Sequence, residues 1–107
     1  MALTRSFKES ILARVSADPD FAKALLDEAG TLFLNGDPET AKMILRDLVN
    51  ATLGFERLAE VVDKSPKSVH RMLSPSGNPT MTNLAAIFSA LKTFLKVELT
   101  ARAVPIS

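Results

Sequence analysis

The sequence predicts an all-α domain that ends in a short β-strand. Three observations predict it. Apolar residues recur at spacings of three and four over most of the chain, the period of a helix with one buried face. Capping residues directly before proline, in Asp18-Pro19, Asp37-Pro38 and Ser65-Pro66, punctuate that pattern where helices should begin, because the cap accepts first-turn N–H bonds and proline is harmless at the first helical position. After Lys96 the period drops to two: Val97, Leu99, Ala101 and Ala103 alternate with Glu98, Thr100 and Arg102, as in a strand.

The elements follow in order. Ser6-Phe7-Lys8-Glu9 fits a capping box, and Phe7, Ile11 and Val15 continue at helical spacing. From Asp18-Pro19, Phe21, Leu25, Ala29, Leu32 and Phe33 share one face, and Asn35-Gly36 stops the helix, since both residues tolerate a left-handed conformation. Asp37-Pro38 opens a third helix with Ala41, Ile44, Leu45, Leu48 and Thr52 on its face, ended by Gly54. A short fourth helix fits residues 55–62, and a fifth runs from Ser65-Pro66 to about Leu73. Ser74-Pro75-Ser76-Gly77-Asn78-Pro79-Thr80 is a loop dense in turn residues. Leu84, Ile87, Phe88, Leu91 and Leu95 mark the sixth helix. The lone strand cannot satisfy its own backbone groups, so the same strand of a second copy is the expected partner. Leu26, Leu34, Val61 and Phe94 fall off the main stripes, either because the helices bury more than one face or because they meet a partner. Met43, Met72 and Met81 are expected to fill gaps in packing.

Composition narrows the function. The chain has 107 residues, 47% of them hydrophobic and 23% charged, which suits one folded domain. With no cysteine and one histidine, thiol catalysis, disulfide scaffolds, cysteine-ligated metals and multi-histidine metal sites are excluded. No apolar run approaches the ~20 residues of a membrane helix, and the N-terminus does not read as a signal peptide, so a cytoplasmic location is expected. His70 has no nucleophile and orienting group in evident reach. Glu56, Glu60 and Asp63 have no evident metal partner, so neither catalysis nor a cofactor is expected.

The net charge is only +1, but it divides unevenly: residues 1–54 carry 6 basic and 8 acidic side chains, residues 55–107 carry 7 and 4. From Lys64 to Val97 there is no acidic residue, while Lys64, Lys67, Arg71, Lys92 and Lys96 lie there. A local cationic excess of this kind is what contact with phosphate requires.

Residues 55–73 also have the makings of a helix-turn-helix. Ala59 is small where a second helix must cross closely, and Asp63 stands at the turn four residues later. Val69 and Met72 sit where the second helix plugs back into the first, whose inner face Leu58 and Val62 complete. That leaves Lys67, Ser68, His70 and Arg71 facing outward. In the major groove Arg71 can bond guanine through two hydrogen bonds, Lys67 can reach guanine or phosphate, and Ser68 can bond either a base or a phosphate. Ser65 suits the N-cap, Lys64 adds a cation at the turn, and Ser76, Gly77, Asn78 and Thr80, with the N–H groups opening the next helix, can hold a phosphate.

Residues 55–95 resemble the lambda-repressor-like helix-turn-helix family. More narrowly, SPKSVHRMLSPSGNPTMTNLAAIFSAL is similar to the small bacterial "probable addiction module antidote protein" family, in which a run S-x-x-S-[VL]-[HY]-[RK]-x-L-S-P-x-G-N-P follows the turn. The resemblance departs at Asp63, where glycine is common; Asp tolerates a left-handed backbone better than most residues. It implies a lambda-repressor-like bundle with two extra N-terminal helices (residues 1–36), a DNA-binding unit (residues 37–95) and a C-terminal strand or tail (residues 96–107). It also implies an antitoxin that binds operator DNA as a homodimer, represses its own operon and neutralises a RelE-like toxin. The alternative is a repressor of the same fold without a toxin partner.

Overall fold

The structure, a computed structural model, describes residues 13–15 and 17–107. Ser6, Phe7, Glu9 and Ile11 of the first expected helix lie outside the described residues. Residues 13–15 are helical and Val15 is buried.

Five helices follow: α1 (Pro19–Leu34), α2 (Pro38–Ala51), α3 (Gly54–Val62), α4 (Pro66–Met72) and α5 (Met81–Leu95). The three proline-marked starts are built as the chemistry requires. Asp18 Oδ1 accepts from the N–H of Asp20 at 3.1 Å, Asp37 Oδ1 from Thr40 N–H at 3.1 Å, and Ser65 Oγ from Ser68 N–H at 3.1 Å. Each caps donors that the first helical turn leaves without partners. The ends of α1, α3 and α5 share one device. Gly36, Asp63 and Lys96 are left-handed, with φ of 94°, 58° and 59°. The following residue donates back five positions: Asp37 to Leu32 O, Lys64 to Ala59 O and Val97 to Lys92 O, the bond of the Schellman motif. Asn35 keeps a right-handed φ and instead donates its side-chain amide to Thr31 O. Gly54, expected to end α2, opens α3; α2 stops at Ala51, where the Thr52 hydroxyl donates to Leu48 O.

One hydrophobic cluster joins these elements, from Val15 through Leu26, Leu45, Leu48, Leu58, Val69 and Leu73 to Ile87 and Leu91. The broadest pairing is α1 on α2, while α5 packs on α1 and α3, with Phe33 and Phe88 in tilted contact across α1 and α5. Leu26 is fully buried: α1 meets both α2 and α5, so its buried surface is wider than one stripe. Leu34, Val61 and Phe94 stay exposed. Of Met43, Met72 and Met81, only Met72 packs on the core; the other two are exposed, because position 43 of α2 and the first residue of α5 face away from the described neighbouring helices.

The expected C-terminal strand is not formed. Residues 97–107 take no regular structure, because a ladder needs a second strand and the described residues contain none. The two-residue alternation is nevertheless real over its first four positions: Val97 and Leu99 pack on the core, while Glu98 and Thr100 are exposed. From Ala101 onward every residue is exposed.

Candidate nucleic-acid interface

α3 and α4 are joined by Asp63, Lys64 and Ser65, and they pack through Leu58, Ala59 and Val69. All three are buried, Val69 completely. Ala59 leaves room for α4, and Val69 inserts from α4 into the space so made. The turn closes through the left-handed Asp63, which a larger branched residue would resist.

This packing sets the outward face of α4. Lys67, His70 and Arg71 are exposed and Ser68 is half-buried. No carboxylate lies within salt-bridge distance of Lys64, Lys67 or Arg71 among the described residues. Ser65 is occupied as the N-cap. His70 differs from expectation in one respect: its ring stacks on Phe55, with centroids 3.8 Å apart and planes 16° from parallel. One face of the imidazole is thus committed to packing against α3, and only its edges and far face are open.

The loop after α4 rests on the helix end. Ser74 donates through its backbone N–H and its hydroxyl to Arg71 O, at 3.2 and 2.7 Å, and Gly77 N–H donates to Ser74 O at 3.0 Å. A Cβ on Gly77 would stand 1.9 Å from Arg71 O, so only glycine fits. Ser76 and Asn78 are exposed and make no side-chain hydrogen bond among the described residues. Asn78 therefore does not bond its own backbone, and its amide is open. Thr80 is the N-cap of α5, its Oγ1 accepting from Asn83 N–H at 3.1 Å. Lys64, Lys67, Ser68, His70, Arg71, Ser76, Asn78 and Thr80 thus lie on two connected segments, α4 with its turn and the loop leading into α5.

Two cations of the acid-free run lie elsewhere. Lys92 pairs with Glu98 at 3.5 Å, because the left-handed Lys96 folds the tail back along α5. Lys96 ends α5, roughly 24 Å of helix from Thr80 at ~1.5 Å per residue.

Sequence reasoning missed Lys42. It lies on α2, 6% exposed, and its Nζ donates to Gly77 O at 2.6 Å and Pro75 O at 3.3 Å while pairing with Glu39 Oε1 at 3.3 Å. A cleft of about 300 Å³ opens beside it, lined also by Phe33, Leu45, Asn78 and Leu84. The Lys42 ammonium is bonded to two loop carbonyls and its charge is paired with Glu39, so the cleft offers no unpaired cation to a ligand. The only sequence signal was a lysine at the spacing of the apolar stripe, one residue after Ala41.

The chain has no significant match among protein-family models, curated proteins or solved structures. The interface must be judged on its own chemistry. Among the described residues no helix is long and apolar enough to cross a membrane, and no three His, Asp or Glu side chains converge as metal ligands.

Proposed function

We propose that the chain is a sequence-specific DNA-binding protein of lambda-repressor-like helix-turn-helix architecture, acting as the antitoxin and autorepressor of a toxin–antitoxin pair. The observation that carries the DNA half is the α3–α4 unit. Its left-handed Asp63 and buried Val69 leave Lys67, His70 and Arg71 on one exposed helix face, without carboxylate partners among the described residues. That is the residue set a groove-entering helix needs, with Arg71 for guanine and Lys64 and Lys67 for phosphate. Ser76 and Asn78, and the first amides of α5, supply neutral donors to a neighbouring phosphate.

The toxin half rests on the run from Ser65 to Pro79 and its likeness to the antidote family. Dimerisation is favoured by residues 98–107, which donate and accept no backbone hydrogen bond among the described residues and can pair with the same segment of a second copy.

A mobility-shift titration on the protein's own promoter, at several salt concentrations, tests the reading. Arg71→Ala should weaken specific binding by about 1–3 kcal/mol and relax base choice at one position. Unchanged affinity at fixed salt removes Arg71 from the base contacts, and absence of salt-sensitive binding by the parent protein refutes the DNA reading. Co-expression with the adjacent gene decides the other half: no basic toxin co-purifying leaves a stand-alone repressor. Sedimentation as a monomer at micromolar concentration refutes the dimer.

A further inference from the structure

We propose that Lys42 is the positioning residue of the nucleic-acid face, holding the loop of residues 74–78 against the end of α4 without touching DNA itself. The proposal rests on the DNA-binding reading above. Lys42 sits 33 and 35 residues from its two carbonyl partners. It is the one buried charged residue of the described core.

Its ammonium stands on one side of the loop, bonded to Pro75 O and Gly77 O. On the other side Gly77 presses against the Arg71 and Met72 carbonyls so closely that a Cβ would meet them at 1.9 and 2.7 Å. The loop is thus clamped between a cation on α2 and the last turn of α4, while Ser74 ties it to Arg71 O. Two carbonyl oxygens that converge on one point repel each other, and the ammonium between them offsets that repulsion. Glu39, 67% exposed, holds the ammonium from the solvent side. Without the clamp, Ser76 and Asn78 lose their fixed spacing from Arg71, and the backbone end of α4 that carries Arg71 loses its support.

A positioning role and a direct phosphate contact leave different marks. Lys42 is buried, bonded to two loop carbonyls and paired with Glu39, so its loss should leave the salt dependence of binding unchanged, whereas removing a phosphate-contacting lysine lowers the slope of log K against log salt by about 0.9. The test uses the full chain and a duplex covering its own promoter. Lys42→Met, which keeps the stem and removes the donors, should weaken binding at least tenfold with an unchanged slope, and Lys67→Ala should reduce the slope. Lys42→Arg, which can still donate to both carbonyls, should restore most of the affinity. Amide exchange gives a readout that does not need DNA: in Lys42→Met the Gly77 amide should exchange at least tenfold faster while Ile87 and Leu91 keep their protection.

Loss of slope in Lys42→Met overturns the proposal, as do unchanged affinity and unchanged Gly77 exchange. Equal acceleration at Ile87 and Leu91 makes the role merely structural and also overturns it. If Lys42→Met proves unfolded by circular dichroism, Lys42→Gln takes its place with the same expected signs. Failure of the parent protein to bind the duplex refutes the DNA reading and this proposal with it; binding by the parent with no effect of Lys42→Met refutes the proposal alone.

Discussion

Gly77→Ala is the sharpest perturbation the structure offers. The added Cβ would stand 1.9 Å from Arg71 O, 2.7 Å from Met72 O and 2.9 Å from Met72 C, where ordinary contact begins near 3.4 Å. All three atoms are backbone in or just beyond the last turn of α4, so no side chain can rotate away. Relieving the overlap needs the loop or the helix end to withdraw by roughly 1.5 Å, a forced rearrangement of the kind that costs about 1–3 kcal/mol. If the withdrawal also breaks the 2.6 Å bond from Lys42 Nζ to Gly77 O, a charged hydrogen bond worth about 1.5–3 kcal/mol is lost as well. The expected destabilisation is therefore at least about 2 kcal/mol, against the ~5–15 kcal/mol total of a typical domain. Urea unfolding followed by far-ultraviolet circular dichroism reads it as a midpoint lowered by about 1–2 M at slopes of ~1–3 kcal/mol/M. Gly30→Ala is the control: its Cβ would meet only Phe88 Cε1 at 3.9 Å, so inside α1 it should stabilise by about 0.5–1 kcal/mol. Gly77→Ala within about 0.5 kcal/mol of the parent, a change of the size ordinary surface substitutions make, would refute the close approach.

Substitutions at three further positions test other parts. Asp63→Gly removes the left-handed strain of an L-residue at the turn but frees the unfolded chain by ~0.4–1 kcal/mol, so stability should rise by no more than about 1 kcal/mol, while on the proposed reading promoter binding should tighten as a carboxylate leaves the proposed phosphate face; a clear loss of stability in urea would reveal a bond of the Asp63 side chain. Asp37→Asn keeps an equally good cap and removes a titration. Hydrogen bonds from the Thr40 hydroxyl, then its backbone N–H, hold the Asp37 carboxyl below its ordinary 3.8. Its stabilisation is thus complete above that value and lost as pH falls through the lowered one, and acid unfolding of the variant should be shallower below pH 3.8, with an unchanged acid limb counting against the cap. His70→Ala should cost about 0.5–1.5 kcal/mol through loss of the Phe55 stack, whereas His70→Phe should restore stability; promoter affinity lost in both variants assigns a ring nitrogen to DNA, and affinity recovered with Phe assigns the ring to packing alone.

What could be read in the sequence was local. Asp18, Asp37 and Ser65 announce their helices because a cap bonds only two or three residues ahead, and Gly36 ends α1 for a reason carried by glycine itself. Val69 was legible as the plug of α4 because its partners Leu58 and Ala59 are close in sequence. Lys42 was not, since its partners lie more than thirty residues away and nothing in a lysine on a helix face announces a distant carbonyl. Gly77 was read as a turn residue, yet its φ is not positive; it is glycine because α4 passes too near, a fact only the fold can supply. The strand expectation failed for a related reason. Alternation in residues 97–100 reports a half-buried extended segment, and a strand is a property of two chains of backbone, not one. For Leu26 the sequence left open a second buried face or a partner, and the packing of α1 on both α2 and α5 decides for the buried face.

The charge pattern shows how far a linear window misleads, and it sets the salt dependence expected of binding. In sequence five cations follow one another without an acid between Lys64 and Val97. In space they divide. Lys92 faces Glu98 at 3.5 Å. That exposed pair contributes little stability but does cancel charge. Lys92 and Lys96 lie about 18 Å or more of helix from Thr80, at ~1.5 Å per residue, well beyond a screening length of ~8 Å in physiological salt. Only Lys64, Lys67 and Arg71 share the segment proposed to enter the groove. If Lys64 and Lys67 each neutralise one phosphate while Arg71 reads a base, the salt dependence of binding should have a slope of about −1.8 per protomer, from ~0.9 for each contact, rather than about −3.6 if Lys92 and Lys96 joined them. Charge reversal separates the two cases: Lys96→Glu should leave the slope unchanged, whereas Lys67→Glu should lower it by about one unit or more. A slope that falls equally in both variants would mean that DNA wraps along α5, and that the face assigned to it here is too small.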